Sequence, residues 1–248
     1  VFGIDVRKDP VRARLQMGVI FQSPGLDKKL TVLENLQAYV PIYGIKGKEL
    51  ALRIDSSLNH LGITEQKYKL VGELSGGLAR RADIAKSLLA RPRLILMDEP
   101  TTALDPTARL ELWEYLKTLC QNREVTVVMT THLMEDADKC DRLAIMDHGR
   151  LVAQGSPQEL KDAVGADIIS IKTEAPQVMA REIADTFGGK VSVVDGLIRM
   201  EQKGAHELIP RLAERFGERL RSLTLSKPSL EDVFIRYTGR GLEGKTHG

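Results

Sequence analysis

Apolar runs of strand length recur along the first part of the chain and alternate with amphipathic stretches. The runs cover 18–21, 94–97, 125–129 and 143–146. An unbroken apolar run such as 94–97 is typical of a parallel strand that is buried on both faces. Because strands that alternate with helices indicate a parallel sheet, we expect an α/β fold with helices on both faces of the sheet.

Two signals predict a helical region between the first two strands. Residues 31–34 read Thr-Val-Leu-Glu, the Thr-x-x-Glu pattern of a capping box, which predicts a helix start at Thr31. Apolar residues at helical spacing predict a second helix over 48–61 that ends at Gly62. We therefore predict a helical subdomain over about 31–90.

Two further helices are expected on either side of the second strand. Residues 79–90 have a broad apolar face, and Ser75-Gly76-Gly77 precede them as a helix start. Residues 107–120 are also predicted to be helical. Their inner face is expected to carry Leu110, Trp113, Leu116 and Leu119.

The pattern changes after residue 157. From there the signals follow in the order strand-helix-strand-strand-helix-strand, with a hairpin expected around Asp195-Gly196. This order predicts a small α+β domain over 158–240, followed by a tail at 241–248. Residues 1–157 are then expected to form the α/β domain.

Composition narrows the choice of partner without naming one. With 42% hydrophobic and 28% charged residues, the chain resembles globular rather than disordered proteins. Its 36 basic and 34 acidic residues give a net charge of +2, so we expect no positive electrostatic potential that would attract nucleic acid.

Cys120 and Cys140 lack metal-ligand spacing, which indicates reduced thiols in a cytosolic protein. No apolar run approaches the ~18 residues of a membrane span, so a membrane role would need another subunit.

Polar residues suited to phosphate chemistry follow three of the predicted strands. They are Gln22, Asp98 with Glu99, and His132. Ligands of parallel sheets bind beyond the carboxyl ends of the strands, so we expect these residues to converge. Asp98 is suited to hold Mg²⁺ and Glu99 to accept a proton from an attacking water. His132 can donate a hydrogen bond to a terminal phosphate. The alternative is that these residues only cap strands and begin turns.

Ser75, Gly76 and Gly77 form a second candidate site. Their amide groups open a helix, whose positive end binds anions, and the glycines leave no Cβ in the way. A flexible turn before a helix is the alternative interpretation.

A search for the phosphate-binding loop G-x-x-x-x-G-K-[ST] finds one literal match, at 239–246. That loop must follow a buried strand and open a helix, whereas here the sequence ends two residues later. We interpret the match as a basic tail, because without a helix there is neither a dipole nor an ordered set of amides for phosphate. The phosphate-binding loop is therefore expected to be missing from the ordered chain.

In order and spacing, these motifs resemble the ATP-binding subunit of an ABC transporter. Leu-Ser-Gly-Gly at 74–77 resembles the signature motif of that family, and 94–99 resembles its Walker B strand. Residues 103–105 resemble its D-loop, His132 its switch histidine and Gln22 its Q-loop glutamine. The resemblance covers the predicted α/β domain.

The end of the chain sharpens this resemblance. Residues 228–234, Pro-Ser-Leu-Glu-Asp-Val-Phe, follow the small α+β domain and are similar to ATPases of daunorubicin-type exporters. The resemblance implies hydrolysis of ATP to power efflux of drugs or lipophilic compounds. The implied partners are an ABC-2-type transmembrane permease and a second ATPase subunit, in a homodimer or heterodimer at the cytoplasmic face of the membrane. No nucleic acid is implied.

The resemblance also implies roles for single residues. ATP and Mg²⁺ are the expected cofactors, with Asp98 and Gln22 as metal ligands and with Glu99, His132 and Gln22 as catalytic residues. The implied nucleotide-binding residues are Ser75, Gly76, Gly77 and Asp105.

The sequence departs from the family pattern in three places. Leu78 stands where the family often has glutamine, and Ala103 where many relatives have glycine. The phosphate loop, with its strand and helix, is expected upstream of Val1. We therefore expect a fragment that cannot form a complete nucleotide pocket of its own.

Two hypotheses stay open and a third is disfavoured. The chain is either most of an active exporter ATPase, or a non-hydrolysing subunit that lends its signature motif to a complete partner. ABC-type ATPases of chromosomes need a long coiled coil between the equivalents of Gln22 and Leu74, and this interval is too short and lacks sustained heptads. Those acting on ribosomes carry two cassettes in one chain, and only one is present here.

Overall fold

A computed structural model of the chain describes residues 1–102, 104–123, 125–239 and 241. The chain divides into two compact units, Val1–Thr131 and His132–Gly248. Ala103, most of the predicted tail and most of the literal phosphate-loop match at 239–246 lie outside the described residues. The domain boundary at residue 157 stays a prediction.

Helices and strands alternate in the first unit. Its helices are α1 (Pro10–Arg14), α2 (Val32–Tyr39), α3 (Gly47–His60), α4 (Gly76–Leu88) and α5 (Pro106–Arg123). Its strands are β1 (Met17–Ile20), β2 (Leu94–Asp98) and β3 (Thr126–Thr130). The helices of the second unit are α6 (Met134–Ala137), α7 (Pro157–Val164), α8 (Pro176–Phe187), α9 (Leu208–Phe216) and α10 (Leu230–Thr238). Its strands are β4 (Leu143–Asp147), β5 (Arg150–Gly155), β6 (Asp167–Lys172), β7 (Lys190–Val194), β8 (Leu197–Gln202) and β9 (Ser222–Ser226).

The strands of the first unit form a parallel sheet in the order β1-β2-β3. Ile20 is paired with Met97, and Asp98 with Thr130, so the three strands end at nearly the same level. Because the carboxyl ends of parallel strands meet at one edge of the sheet, the residues that follow them are brought together. The predicted parallel sheet is confirmed.

This sheet is buried on one face and partly exposed on the other. Ile95 and Met97 are 0% and 2% exposed and belong to the main core, together with side chains of α4 and α5. On the opposite face, Val19 is 39% and Val128 52% exposed. The prediction that 94–97 is fully buried is therefore wrong. Side chains of a strand point alternately to the two faces, and those of β2 that share the open face are only half-buried.

The predicted helix starts of the first unit are present. Thr31 Oγ1 accepts from the amide of Glu34, and Glu34 Oε2 accepts from the amide of Thr31, which is the reciprocal pair of a capping box. Gly62 follows α3 with φ +65°, a conformation that a residue without Cβ adopts freely. Ser75 caps α4 by accepting from the amide of Leu78 at 3.3 Å.

Helix α5 turns a slightly different face to the core than the sequence predicts. Trp113, Leu116 and Leu119 are buried as predicted, whereas Leu110 is 57% exposed. Leu112, at 3% exposure, is buried instead. The prediction for Leu110 is wrong because the apolar pattern allows two neighbouring stripes on this helix, and packing selects the stripe through Leu112.

The second unit begins with a hairpin. Strand β4 is antiparallel to β5, and Asp147 is paired with Arg150. Residues 148 and 149, His and Gly, have φ of +46° and +75°, the positive values that a two-residue type I′ turn requires. The sequence predicts this strand correctly but not its pairing, since the expectation was a further strand of a parallel sheet.

The rest of the second unit contains an antiparallel sheet in the order β7-β8-β6-β9. The hairpin turn at Asp195-Gly196 and the order strand-helix-strand-strand-helix-strand are confirmed. Helices α8 and α9 contribute buried residues to the core of this sheet, including Met179, Ile183, Leu212 and Phe216. Ser229 starts α10 with a capping box. No helix in the described part of the chain has the length and hydrophobicity of a membrane span.

Two truncations on α5 test its buried face. We expect Leu116→Ala to lower the free energy of unfolding by about 2–5 kcal/mol, because it leaves a cavity in the core. The matched control Leu110→Ala removes the same atoms from an exposed position and should change it by less than about 0.5 kcal/mol. Urea unfolding followed by the fluorescence of Trp113, the single tryptophan of the chain, measures both. A larger loss for Leu110→Ala would contradict this assignment.

Candidate nucleotide-hydrolysing site

Gln22 and Glu99 are in direct contact at the edge of the parallel sheet. Gln22 lies in the loop after β1, and its Nε2 donates to Glu99 Oε2 at 2.9 Å. Thr102 Oγ1 donates to the same oxygen at 3.3 Å. Two donors therefore orient the Glu99 carboxylate, and a carboxylate that is held in place can accept a proton from a water molecule.

Asp98 and Glu99 are joined by one hydroxyl group of the neighbouring strand. Thr130 Oγ1 donates to Asp98 Oδ1 at 2.5 Å and accepts from the amide of Glu99 at 3.1 Å. This arrangement follows from the parallel register, in which Asp98 is paired with Thr130. The last residue of β3 thus fixes both acids that follow β2.

The backbone at Glu99 has an uncommon conformation. Its φ is +43°, in the left-handed region that residues with a Cβ rarely adopt. Such a conformation costs about 1–3 kcal/mol and persists only where the surrounding contacts over-determine it. The contacts of Glu99 with Thr130, Gln22 and Thr102 are part of that restraint.

The start of α4 forms the second part of the site. Ser75 and Gly76 are exposed at the helix N-terminus, where unsatisfied amides and the helix dipole favour an anion. Gly77 has a packing reason as well. A Cβ on Gly77 would lie 3.3 Å from Ala108 Cβ and 3.9 Å from Leu104 Cδ2, so glycine allows α4 to approach the start of α5.

Asp105 caps helix α5. Its Oδ1 accepts from the amides of Thr107 and Ala108, both at 3.0 Å, and its carbonyl accepts from the amide of Arg109. These bonds satisfy amides at the helix start that have no partner within the helix. The implied role of Asp105 in nucleotide binding stays a prediction.

The donors at this edge fit Mg²⁺ that is bound together with a phosphate. Asp98 offers carboxylate oxygen at an exposed strand end, and Gln22, whose Nε2 donates to Glu99, carries an amide oxygen in the loop after β1. Among the described residues, no group of three or more His, Cys, Asp or Glu side chains could hold a metal ion. Mg²⁺ is commonly held by one or two carboxylates with water and substrate phosphates, so this small donor set agrees with it.

His132 is the first residue of the second unit. It is exposed, in the bend before α6. Its predicted contact with a terminal phosphate stays a prediction, as do the metal and catalytic roles of Asp98, Glu99 and Gln22.

Comparisons with known proteins identify the family of the chain. The family described as "ABC transporter" matches residues 2–102, and the family described as "ATP-binding protein DrrA1-3-like, C-terminal domain" matches residues 155–238. A Nod factor export ATP-binding protein I of Rhizobium sp. (strain N33) is 38% identical over 97% of this chain and 80% of that protein. The chain belongs to the family of ABC transporter ATP-binding proteins. Members of this family are ATPases.

A further relative and two solved structures of ABC proteins are also similar to this chain. The daunorubicin resistance ATP-binding protein DrrA2 of Streptomyces coeruleorubidus is 33% identical over 98% of this chain and 78% of that protein. A solved ATP-binding subunit of an ABC transporter has a TM-score of 0.59 at 25% identity, over 66% of this chain and 69% of that chain. The cbiO1 protein of Clostridium perfringens, part of the transporter complex cbiONQ, has a TM-score of 0.58 at 26% identity, over 73% and 68%. The predicted family and fold class are confirmed.

The sequence does not reveal every residue that shapes this ABC site. Thr130 precedes the Thr-His pair, and its contact with both acids depends on the strand register rather than on a motif. Arg80, in the middle of α4, is 5% exposed and donates to the backbone of both loops that carry Gln22 and Glu99. An arginine inside an amphipathic pattern ordinarily lies on the solvent side, so no sequence signal indicates this contact.

We expect Asp105→Ala to destabilise the first unit even without nucleotide. Loss of the helix cap should lower the free energy of unfolding by about 1 kcal/mol. Asp105→Asn keeps a side-chain oxygen for the cap and serves as the matched control. Trp113 on α5 reports both transitions in urea. Equal stability of Asp105→Ala and the unchanged chain would show that the cap contributes nothing.

Proposed function

We propose that this chain is the ATP-hydrolysing subunit of an ABC exporter that powers transport through a separate membrane permease. The observation that carries the proposal is the contact of Gln22 with Glu99, beside Asp98, at the carboxyl edge of three parallel strands. Glutamine and two acids at this edge match the needs of phosphoryl transfer, which are a held metal and an oriented water.

Each residue has a distinct part in the proposed reaction. Glu99 orients the attacking water and accepts its proton, and Gln22 keeps the Glu99 carboxylate in place through the 2.9 Å hydrogen bond. Asp98 and Gln22 hold Mg²⁺, which neutralises charge on the phosphate oxygens when bound. Thr130 keeps Asp98 and Glu99 in fixed positions relative to each other. His132 donates to the terminal phosphate.

The start of α4 acts on a second subunit in this proposal. Ser75, Gly76 and Gly77 bind the phosphates of an ATP whose other side is held by the phosphate-binding loop of the partner ATPase. The exposure of Ser75 and Gly76 supports this, because a neighbouring molecule can reach their hydroxyl and amide groups. We infer that Asp105, which is close in sequence to Leu104 and Ala108 beside Gly77, contacts the same nucleotide.

Relatives named for Nod factor export and for daunorubicin resistance support export as the direction of transport. We infer that drugs or other lipophilic compounds are the cargo, and that an ABC-2-type permease carries them. The subunit then works at the cytoplasmic face of the membrane, bound to the permease, as a homodimer or with a second ATPase. Closure of the dimer on ATP drives the permease.

The source of the phosphate-binding loop separates two versions of this function. In the first, the loop precedes these 248 residues in the same polypeptide. In the second, only a partner subunit has the loop, and this chain contributes its signature motif to one composite site. Reading the gene in frame upstream decides between them: a stop codon with no G-x-x-x-x-G-K-[ST] before it would rule out the first version.

Two substitutions test the proposed chemistry in the assembled transporter. We expect Glu99→Gln to lower ATP hydrolysis by about 100-fold or more while ATP still binds, because a general base contributes about 10²–10⁴ in rate. The control Glu114→Gln changes an exposed glutamate on α5 and should leave the rate unchanged. Phosphate release and nucleotide binding are measured side by side.

Ser75→Arg tests the signature motif. We expect it to abolish hydrolysis by the partner-held nucleotide, since a large cation fills the space of the phosphate. Ser56→Arg, on the exposed side of α3, is its control. If Glu99→Gln has no effect while Ser75→Arg abolishes hydrolysis, the non-hydrolysing version is correct. Equal loss from both substitutions contradicts that version.

A further inference from the structure

Arg80 lies within α4, one turn beyond the signature residues, and its side chain is buried. Its guanidinium donates to backbone carbonyls of two loops, here called the Gln22 loop (21–25) and the Glu99 turn (99–102). Nη1 donates to Phe21 O, and Nη2 donates to Gln22 O at 3.0 Å. Nη2 also donates to Glu99 O at 3.3 Å, and Nε donates to Pro100 O at 3.1 Å. One side chain therefore connects the signature helix to both loops.

The charge of Arg80 is compensated inside the protein. Asp83, 1% exposed, lies one turn further along α4, with Oδ2 4.0 Å from Arg80 Nη1. Burial lowers the pKa of Arg80, whereas the charges of Asp83 and Asp98 raise it. A guanidinium stays protonated in proteins, so its bonds to the carbonyls are charge-assisted and stronger than neutral ones.

The position of these bonds relates Arg80 to the proposed chemistry. The Glu99 turn contains the residue with φ +43°, and Arg80 donates to the carbonyls of Glu99 and Pro100, which belong to two consecutive peptide bonds. Thr130 holds the Glu99 amide from the sheet side. The same guanidinium binds the Gln22 loop, in which the side chain of Gln22 donates to the carboxylate of Glu99. Arg80 Nη2 therefore bonds to the backbone of both Gln22 and Glu99.

We propose that Arg80 is a positioning residue, which holds the Gln22 loop and the Glu99 turn at a fixed place relative to the signature helix and so sets the geometry of the proposed general base. It does not touch substrate. This inference rests on the proposed function for its catalytic consequence, but the positioning itself is measurable without hydrolysis.

Arg80→Lys is the test variant and Arg81→Lys the matched control. Lysine keeps the charge but donates from a single nitrogen, which cannot serve carbonyls on two loops in the way a planar fork does. Arg81, on the same helix, contacts the carbonyl of Leu61 and the carboxylate of Glu111 instead. Hydrogen exchange of the Glu99 and Thr102 amides should become at least about tenfold faster in Arg80→Lys and stay unchanged in Arg81→Lys. Unchanged exchange in Arg80→Lys, or equal acceleration in both variants, overturns the proposal.

A measurement on the unchanged chain keeps the test decisive if Arg80→Lys fails to fold. If Arg80 ties the Glu99 turn to α4, the amides of both should exchange through the same opening event, and their exchange rates should have the same dependence on urea. A separate, easier opening of the Glu99 turn overturns the proposal.

Kinetics of the assembled transporter supply the catalytic readout. We expect Arg80→Lys to lower kcat about tenfold or more with KM for ATP within about twofold, because misplacing the base affects the chemical step rather than nucleotide binding. A rise of KM alone overturns the catalytic consequence. If the unchanged transporter hydrolyses no ATP, the proposed function fails, while the exchange data still decide whether Arg80 holds the two loops.

Discussion

The parallel pairing of β2 with both of its neighbours is the constraint on which the candidate site depends. It places the end of β1 beside Met97 and places Thr130 opposite Asp98, so that three loops leave the sheet at one edge. A slip of one residue would turn Thr130 to the other face and separate it from both acids. Val127 and Met129, the β3 side chains that pack against the main core, oppose such a slip, because it would expose them. Core packing and site geometry are therefore fixed by the same register.

Helix α4 carries an unusual amount of buried charge for a core element. The negative charge of Asp83 is compensated by a nearby cation, because Lys86 Nζ lies 2.8 Å from Asp83 Oδ1. Lys86 Nζ also donates to the Gly25 carbonyl at 2.6 Å. Removing one partner from such a group leaves an uncompensated buried charge, which is strongly destabilising. Arg80 and Lys86 both bind the Gln22 loop, so the charges that fill this part of the core also restrain a loop of the site.

Local signals predict much of this architecture, and non-local contacts account for what they miss. Thr31 and Ser75 identify helix starts because a cap is formed within a few residues, and Asp195-Gly196 identifies a hairpin for the same reason. The exposure of Leu110 and the partner of β4 depend on distant packing, which the local pattern leaves open. Within the site, the sequence places Gln22, Asp98 and Glu99 at strand ends correctly. The link through Thr130 needs the strand register, and the role of Arg80 needs the depth of α4 in the core.

The start of α4 shows why packing and binding have to be separated experimentally at this site. Gly77 is needed for the close approach of α4 to Ala108, so a side chain there disturbs the fold whether or not phosphate binds. Ser75 is exposed, yet its hydroxyl also caps the helix, so Ser75→Ala would weaken both roles. A large cation at position 75 acts chiefly by occupying the space in front of the helix. The outcome of that substitution therefore reports on the neighbour that approaches α4, and the stability of the first unit reports on the cap.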